Sequence, residues 1–244
     1  MSNQSYLIES QSMLTAGQVV RLAGDEGRHA ATVKRTQVGE YVDLCDGQGL
    51  RATGVVRATG KDWIDVEIQQ VTAEVQPDPR IVVVQALAKG DRAELALEML
   101  TEVGVDVIVP WRAQRSVVKW DNVDKALDKW RKTIRESTKQ SRRAYVARLE
   151  SLHTTQEVNL LLSQATQALV LHESASDTLS GLAIPNTGTV VVVVGPEGGL
   201  ANEELEAFKA AGAAVVKMGA SVMRTSTAGA VAVGVISSKT SRWN

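Results

Sequence analysis

From Thr189 to Glu204 the chain reads TVVVVVGPEGGLANEE, and this stretch leaves the fold little freedom. An unbroken β-branched run without polar alternation suits a strand buried on both faces, as in parallel sheets covered by helices. Gly195, Pro196, Gly198 and Gly199 stop that strand, and a helix restarts from LANEE. A second stretch, MGASVMRTSTAGAVAVGVIS from Met218 to Ser237, repeats the logic with a strand end, a bend and a helix of small residues. In an open α/β sheet, ligands sit beyond the carboxyl ends of the strands, so two such loops can face one pocket.

The rest of the chain divides at AEVQPDPR, Ala73 to Arg80, where two prolines disfavour helix and cannot donate to a sheet ladder. Before it, short strand-like runs are expected at 6–8, 18–22, 40–44, 50–59 and 63–71, separated by glycine turns, with one helical piece over 29–35. They suggest a small β-barrel. After it, apolar strands alternate with amphipathic helices: strands at 81–87, 105–109, 168–171, 189–194 and 214–218, and helices at 91–103, 121–143 and 225–238. Asp91 and Glu94 have the spacing of a capping-box variant, and Ala93, Ala96, Leu97 and Leu100 share a face. Val123, Leu127, Trp130, Ile134 and Thr138 form the stripe of the next helix.

Composition excludes several classes. A single cysteine, Cys45, rules out an internal disulfide framework, and the three histidines, His29, His153 and His172, lack zinc-site spacing, so no metal is expected. The start MSNQSYLIES is unlike a secretory leader and no apolar run reaches membrane-spanning length, so a cytoplasmic chain with no membrane partner is expected. A net charge of −1 argues against a uniformly basic surface but leaves room for a local basic face. Lys129, Arg131, Lys132, Arg135, Lys139, Arg142, Arg143 and Arg148 supply a dense run of cations, suited either to RNA phosphates or to a solvated helix face.

On spacing alone, GPEGG fits a ligand loop or a tight structural turn. It is not a Walker loop, since no Gly-Lys-Ser/Thr follows, and it lacks the dinucleotide fingerprint, so phosphate is disfavoured. Val194, Leu200, Met218 and Val222, with the glycine backbone beside them, could form an apolar slot with donors and acceptors for an adenosine edge, although Met218 and Val222 also suit ordinary core packing.

The segments HAATVKR, KGDRAELALEMLTEVGV, PWRAQRSVVKW, KQSRRA, LHE, VVGPEGGLANEE and MGASVMRTSTAGAVA, in this order, resemble the RsmE family of 16S ribosomal RNA uracil-N3 methyltransferases, members of the SPOUT superfamily. The resemblance implies an α/β fold, a SPOUT-type parallel sheet with a carboxyl-terminal trefoil knot over 79–244, preceded by a PUA-like RNA-binding β-barrel over 1–73. It further implies a homodimer, S-adenosyl-L-methionine as cofactor, and 16S ribosomal RNA or the small ribosomal subunit as partner. Alternatives are a non-catalytic RNA-binding or ribosome-assembly protein and a related transfer RNA methyltransferase. The cofactor set carried over is Leu171, His172, Glu173, Gly195, Pro196, Glu197, Gly198, Gly199, Leu200, Met218, Gly219, Val222, Met223, Arg224, Thr225 and Ala228.

Arg224 is the candidate for stabilising a developing uracil anion, and Glu197 is the candidate carboxylate for proton handling or for holding Arg224. Many family members carry glutamate where this chain has Ser226, which favours the non-catalytic alternative. The RNA-binding set is Arg28, His29, Lys34, Arg35, Lys139, Gln140, Arg142 and Arg143, while Ser5-Tyr6-Leu7 is less basic than the usual family start.

Overall fold

The computed structural model describes residues 3–8 and 14–243. Two compact units are present. One comprises the residues up to Gln76 together with Thr138–Val146, and the other comprises Pro77–Ser137 and the chain from Ala147 onward.

In the first unit, strands β1 (Gln4–Leu7), β2 (Val19–Leu22), β3 (Tyr41–Cys45), β4 (Leu50–Thr59) and β5 (Ile64–Ala73) lie in the order β1-β3-β4-β5-β2. Only β1 and β3 run parallel. Among the described residues no ladder joins β1 to β2, so the expected barrel is an open half-barrel. Register shifts at Thr53/Gly54 and Val56/Ala58 bend the long β4–β5 pair, as bulges do. Its concave face buries Tyr6, Leu22, Val42, Leu44, Val56, Ile64, Val66 and Ile68. The helical piece begins earlier than 29–35: α1 (Gly24–Arg28) runs into a π-turn, His29–Val33. Thr138–Val146 joins this unit through backbone bonds from Gly49 N–H to Ala144 O (3.1 Å) and from Val146 N–H to Gly47 O (2.9 Å).

The second unit is a seven-stranded sheet in the order β10-β12-β9-β11-β6-β7-β8, parallel throughout. Its strands are β6 (Arg80–Ala86), β7 (Val107–Trp111), β8 (Arg148–Leu149), β9 (Gln167–Leu171), β10 (Asp177–Thr178), β11 (Thr189–Val194) and β12 (Ala214–Lys217). Its helices are α2 (Arg92–Glu102), α3 (Val123–Gln140, in this unit up to Ser137), α4 (Thr155–Ser163), α5 (Asn202–Ala210) and α6 (Thr225–Ser238).

The valine run is the central strand, and period-2 geometry sends its side chains both ways. Val191 and Val193 pack with Val158, Leu162 and Phe208 from α4 and α5. On the opposite face a Cβ added at Gly229 of α6 would lie 3.1 Å from Leu100 Cδ2 and 3.3 Å from Val194 Cγ2. This close approach explains the small-residue composition of α6. Each fully buried valine contributes about 1.5–3 kcal/mol.

Two local expectations need correction. Asp91 does not cap α2, because its backbone is already helical (φ −63°, ψ −12°) and its carboxylate makes no capping bond. Helix α3 is shorter than 121–143, and of the predicted stripe Leu127, Trp130, Ile134 and Thr138 are buried while Val123 is half-buried.

Candidate functional site

Strand β9 lies between β11 and β12 and is parallel to both, so the carboxyl ends of all three share one edge of the sheet. A cavity of about 610 Å³ opens there. Its walls are Leu171–Glu173 after β9, Gly195–Leu200 after β11, and Met218, Gly219 and Val222–Thr225 after β12, with Ala228 from α6. Every residue of the expected cofactor set therefore faces one space. Val194, Asn202, Ser221, Lys217, Arg92 and Arg115 line it as well.

The glycines of GPEGG have different reasons to be glycine. Gly199 adopts φ +72°, the left-handed region in which a Cβ is strained. At Gly195 a Cβ would lie 3.1 Å from Leu200 Cδ2, and at Gly198 it would lie 3.1 Å from the Arg115 carbonyl oxygen. Those two are set by packing. Thr225 Oγ1 donates to Gly195 O (3.1 Å) and so links the first residue of α6 to the GPEGG turn. The Gln85 amide on β6 reaches Thr225 O from beneath at 3.4 Å.

Arg224 precedes α6, and its carbonyl accepts the N–H groups of Thr227 and Ala228, both at 2.9 Å. Its backbone is thus held while its side chain is exposed on the cavity wall. Among the described residues the guanidinium has no ion pair, so Glu197 does not hold it. Glu197 Oε1 instead receives a long bond from the Lys89 N–H at 3.4 Å. Ser226 is buried and does not line the cavity. Position 226 therefore brings no carboxylate to the cavity, which leaves Glu173 and Glu197 as the carboxylates on its wall. Val222 is 76% exposed, so it is wall and not core. His172 Nδ1 accepts the Ser174 N–H at 3.3 Å.

A residue not singled out by the sequence braces the site. Glu204 on α5 is 4% exposed, and its carboxylate accepts Gln114 N–H (2.8 Å), Thr155 Oγ1–H (3.2 Å) and Ala201 N–H (3.1 Å). It ties the end of the GPEGG segment to the β7–α3 loop. Glu204→Ala leaves three donors without their acceptor, so we expect a loss of about 2–4 kcal/mol in stability by urea denaturation and weaker cofactor binding by calorimetry. Unchanged values for both would show that the brace is dispensable. The available signal was its position, the third residue of a helix opening from an apolar loop, where a glutamate reaches back to the helix start.

The expected RNA-binding residues belong to the first unit. His29, Lys34, Lys139, Gln140 and Arg142 line a second, polar cavity of about 140 Å³ together with Asn3, Gln4, Ser5 and Tyr6 of the β1 segment. Arg28, Arg35 and Arg143 lie outside that lining, and Arg28 pairs with Asp25 at 3.1 Å. The Lys139 side chain is 6% exposed and bound to Glu26 at 2.8 Å, so its charge is used within the fold. The cation run is also less free than its sequence suggests. Lys129 pairs with Glu94, Arg131 with Asp128 and Arg148 with Glu150. Among the described residues no group of three or more histidine, cysteine, aspartate or glutamate side chains could hold a metal ion, and no helix is long and apolar enough to cross a membrane.

The chain thus combines a parallel sheet, a three-loop cavity at the sheet's carboxyl edge and a half-barrel unit. A family model described as RNA methyltransferase domain matches residues 76–237, and one described as RNA methyltransferase PUA domain matches residues 22–69. The ribosomal RNA small subunit methyltransferase E of Mycobacterium bovis is 42% identical over 234 residues, covering 93% of this chain and 89% of that protein. The protein of the same name from Bacillus subtilis is 27% identical, with 97% of each chain covered. The crystal structure of the Neisseria gonorrhoeae ribosomal RNA small subunit methyltransferase E, bound to S-adenosyl methionine, superposes with a TM-score of 0.87 at 25% identity, covering 97% of this chain and 98% of that one. The chain belongs to the ribosomal RNA small subunit methyltransferase E family.

Proposed function

We propose that this chain transfers the methyl group of S-adenosylmethionine to N3 of a uridine in the 16S ribosomal RNA of the small subunit. The observation that carries the reading is the convergence of the loops after β9, β11 and β12 on one cavity. Its volume, about 610 Å³, lies within the range of small-molecule sites, roughly 300–1,000 Å³. Leu171, Val194, Leu200 and Val222 offer apolar surface to a nucleoside, and the glycine-rich backbone offers donors and acceptors to its edge.

The bound cofactor supplies an electrophilic methyl on a sulfonium. The remaining work is the chain's own. The loops must hold nucleophile and methyl in line at near-attack distance. Arg224, whose guanidinium has no ion pair among the described residues, stabilises the negative charge that grows on the uracil imide as N3 loses its proton. Glu197, exposed on the same wall, is the proton acceptor of this reading.

The reading extends to a trefoil knot in the second unit. Support comes from the path of the chain, which adds β12 on the far side of β9 and then returns in α6 to lie against α2, β6 and β11. It also extends to a homodimer acting in the cytoplasm, as the family resemblance implies.

The test is primer extension across the target uridine in ribosomal RNA from a strain lacking the gene. N3 methylation blocks the pairing edge, so the stop should vanish in that strain and return with a plasmid copy. A stop that persists without the protein removes the substrate assignment. Calorimetry with S-adenosylmethionine separates the enzyme from a non-catalytic RNA-binding protein, which would show no binding.

A further inference from the structure

The cofactor cavity carries more positive charge than a methyl donor can use. Arg92, Arg115, Lys217 and Arg224 line it, against the carboxylates of Glu173 and Glu197. S-adenosylmethionine is itself a net cation, with a sulfonium and an ammonium against one carboxylate. A site built for it alone would balance or reverse that charge, because like charges brought together in a cleft repel. The cationic excess therefore points to a second, anionic occupant at the mouth of the same cavity. In the function proposed above, on which this inference rests, that occupant is the RNA backbone.

We infer that Arg92 and Arg115 bind the phosphates that flank the target nucleotide and present its base to the cofactor. Both side chains are exposed, and neither has a carboxylate partner among the described residues. They come from separate elements. Arg92 is the first residue of α2, and Arg115 lies in the loop after β7.

Their backbones are nevertheless positioned. The loop bearing Arg115 is pinned by the bond from Gln114 N–H to Glu204 (2.8 Å), and its backbone abuts Gly198, where no Cβ would fit without displacement. The Arg115 guanidinium reaches Gly198 O at 3.4 Å, a long bond that leaves its other donors for a phosphate. The loop ahead of Arg92 meets Glu197 through the Lys89 N–H. The two arginines thus stand around the GPEGG turn, and Arg224 faces the same space from the α6 side. These are positioning residues, and they differ from Arg224 in acting on substrate affinity.

The experiment compares the wild type with Arg92→Ala, Arg115→Ala, Arg115→Lys and the double alanine variant in the full-length protein. Three quantities are read: affinity for in-vitro transcribed 16S RNA and for small subunits from the deletion strain, the dependence of that affinity on salt, and affinity for S-adenosylmethionine by calorimetry. Each alanine variant should lose about 3- to 10-fold in RNA affinity and flatten the slope of log affinity against log salt by roughly 0.7, the value for one lost phosphate contact to a single strand. Cofactor affinity should be unchanged, and Arg115→Lys should restore the salt slope.

Unchanged RNA affinity and salt slope in the double variant, with a wild type that binds cofactor and methylates, would overturn the inference and leave the function standing. Loss of cofactor affinity equal to loss of RNA affinity in Arg115→Ala would reassign that residue to bracing Gly198. A wild type that neither binds the cofactor nor methylates small-subunit RNA would remove the functional reading and this inference with it.

Discussion

Arg224→Ala is expected to lower the rate of methyl transfer by about 10²- to 10³-fold, the usual cost of removing one donor aimed at developing charge. Cofactor affinity and stability should stay close to those of the parent. The expectation rests on how Arg224 is held. Its backbone carbonyl, not its side chain, starts α6, and the side chain makes no capping bond, so truncation leaves the helix intact. No carboxylate is orphaned either, because none is paired with it among the described residues. Arg224→Lys should recover part of the rate, since it restores charge but not the planar fork of donors. Single-turnover transfer to small-subunit RNA, with calorimetry for the cofactor, measures both quantities. Equal loss in the two would assign Arg224 to the cofactor pocket, and a near-normal rate would remove it from the chemistry.

How far such a site can be read from sequence depends on which contacts are local. The bounds of β4, β11 and α6 coincide with the sequence expectation because each is set by its own residues: a strand-like run between the Gly47–Gly49 turn and Gly60, a valine run stopped by Gly195-Pro196, and small residues opening after Arg224. Two of the three loops around the cavity, those after β11 and β12, were legible for the same reason, since each follows a recognisable strand, whereas Leu171–Glu173 was named only by the family resemblance.

Arg92 and Arg115 were not. They meet the cavity because β6 lies beside β11 and β7 beside β6 in the sheet, an order that no local pattern encodes. Once that order is known, a cation soon after the carboxyl end of a strand becomes the signal that finds both. Strands β8 and β10, each two residues long, carry no periodicity to detect. The basic run around α3 misleads in the opposite direction. It is dense in the sequence, yet Lys129, Arg131, Lys139 and Arg148 meet Glu94, Asp128, Glu26 and Glu150, and two of those acids, Glu94 and Glu26, lie far away in the chain.

Asp106 and Arg242 make the largest stability prediction, and they too are joined only by the fold. Their side chains are 1% and 4% exposed, with Arg242 Nη1 to Asp106 Oδ2 at 2.8 Å. Asp106 Oδ2 also accepts the Ile81 N–H at 2.7 Å. Arg242 donates further to the carbonyls of Pro77 (3.2 Å), Pro79 (2.7 Å) and Gly104 (2.5 Å). The segment after α6 is thereby fastened to the residues that lead into β6. Asp106→Ala would leave a buried guanidinium without its counter-charge and the Ile81 N–H without its acceptor, which costs about 3–5 kcal/mol. For a unit of this size that lowers the melting temperature by on the order of 10 °C.

Removing both charges, as in Asp106→Leu with Arg242→Met, should cost less than the two single changes summed, because neither charge is then buried alone. Ending the chain at Ser241 should destabilise about as much as Asp106→Ala, since it leaves the Asp106 carboxylate buried without its counter-charge. Urea denaturation measures all five variants. A shift below about 1 kcal/mol for Asp106→Ala would place this pair with surface ion pairs of little net worth. The predicted loss, shared by the truncation and relieved in the double variant, would identify the pair as the fastening that keeps α6, and Arg224 at its head, in place over β11.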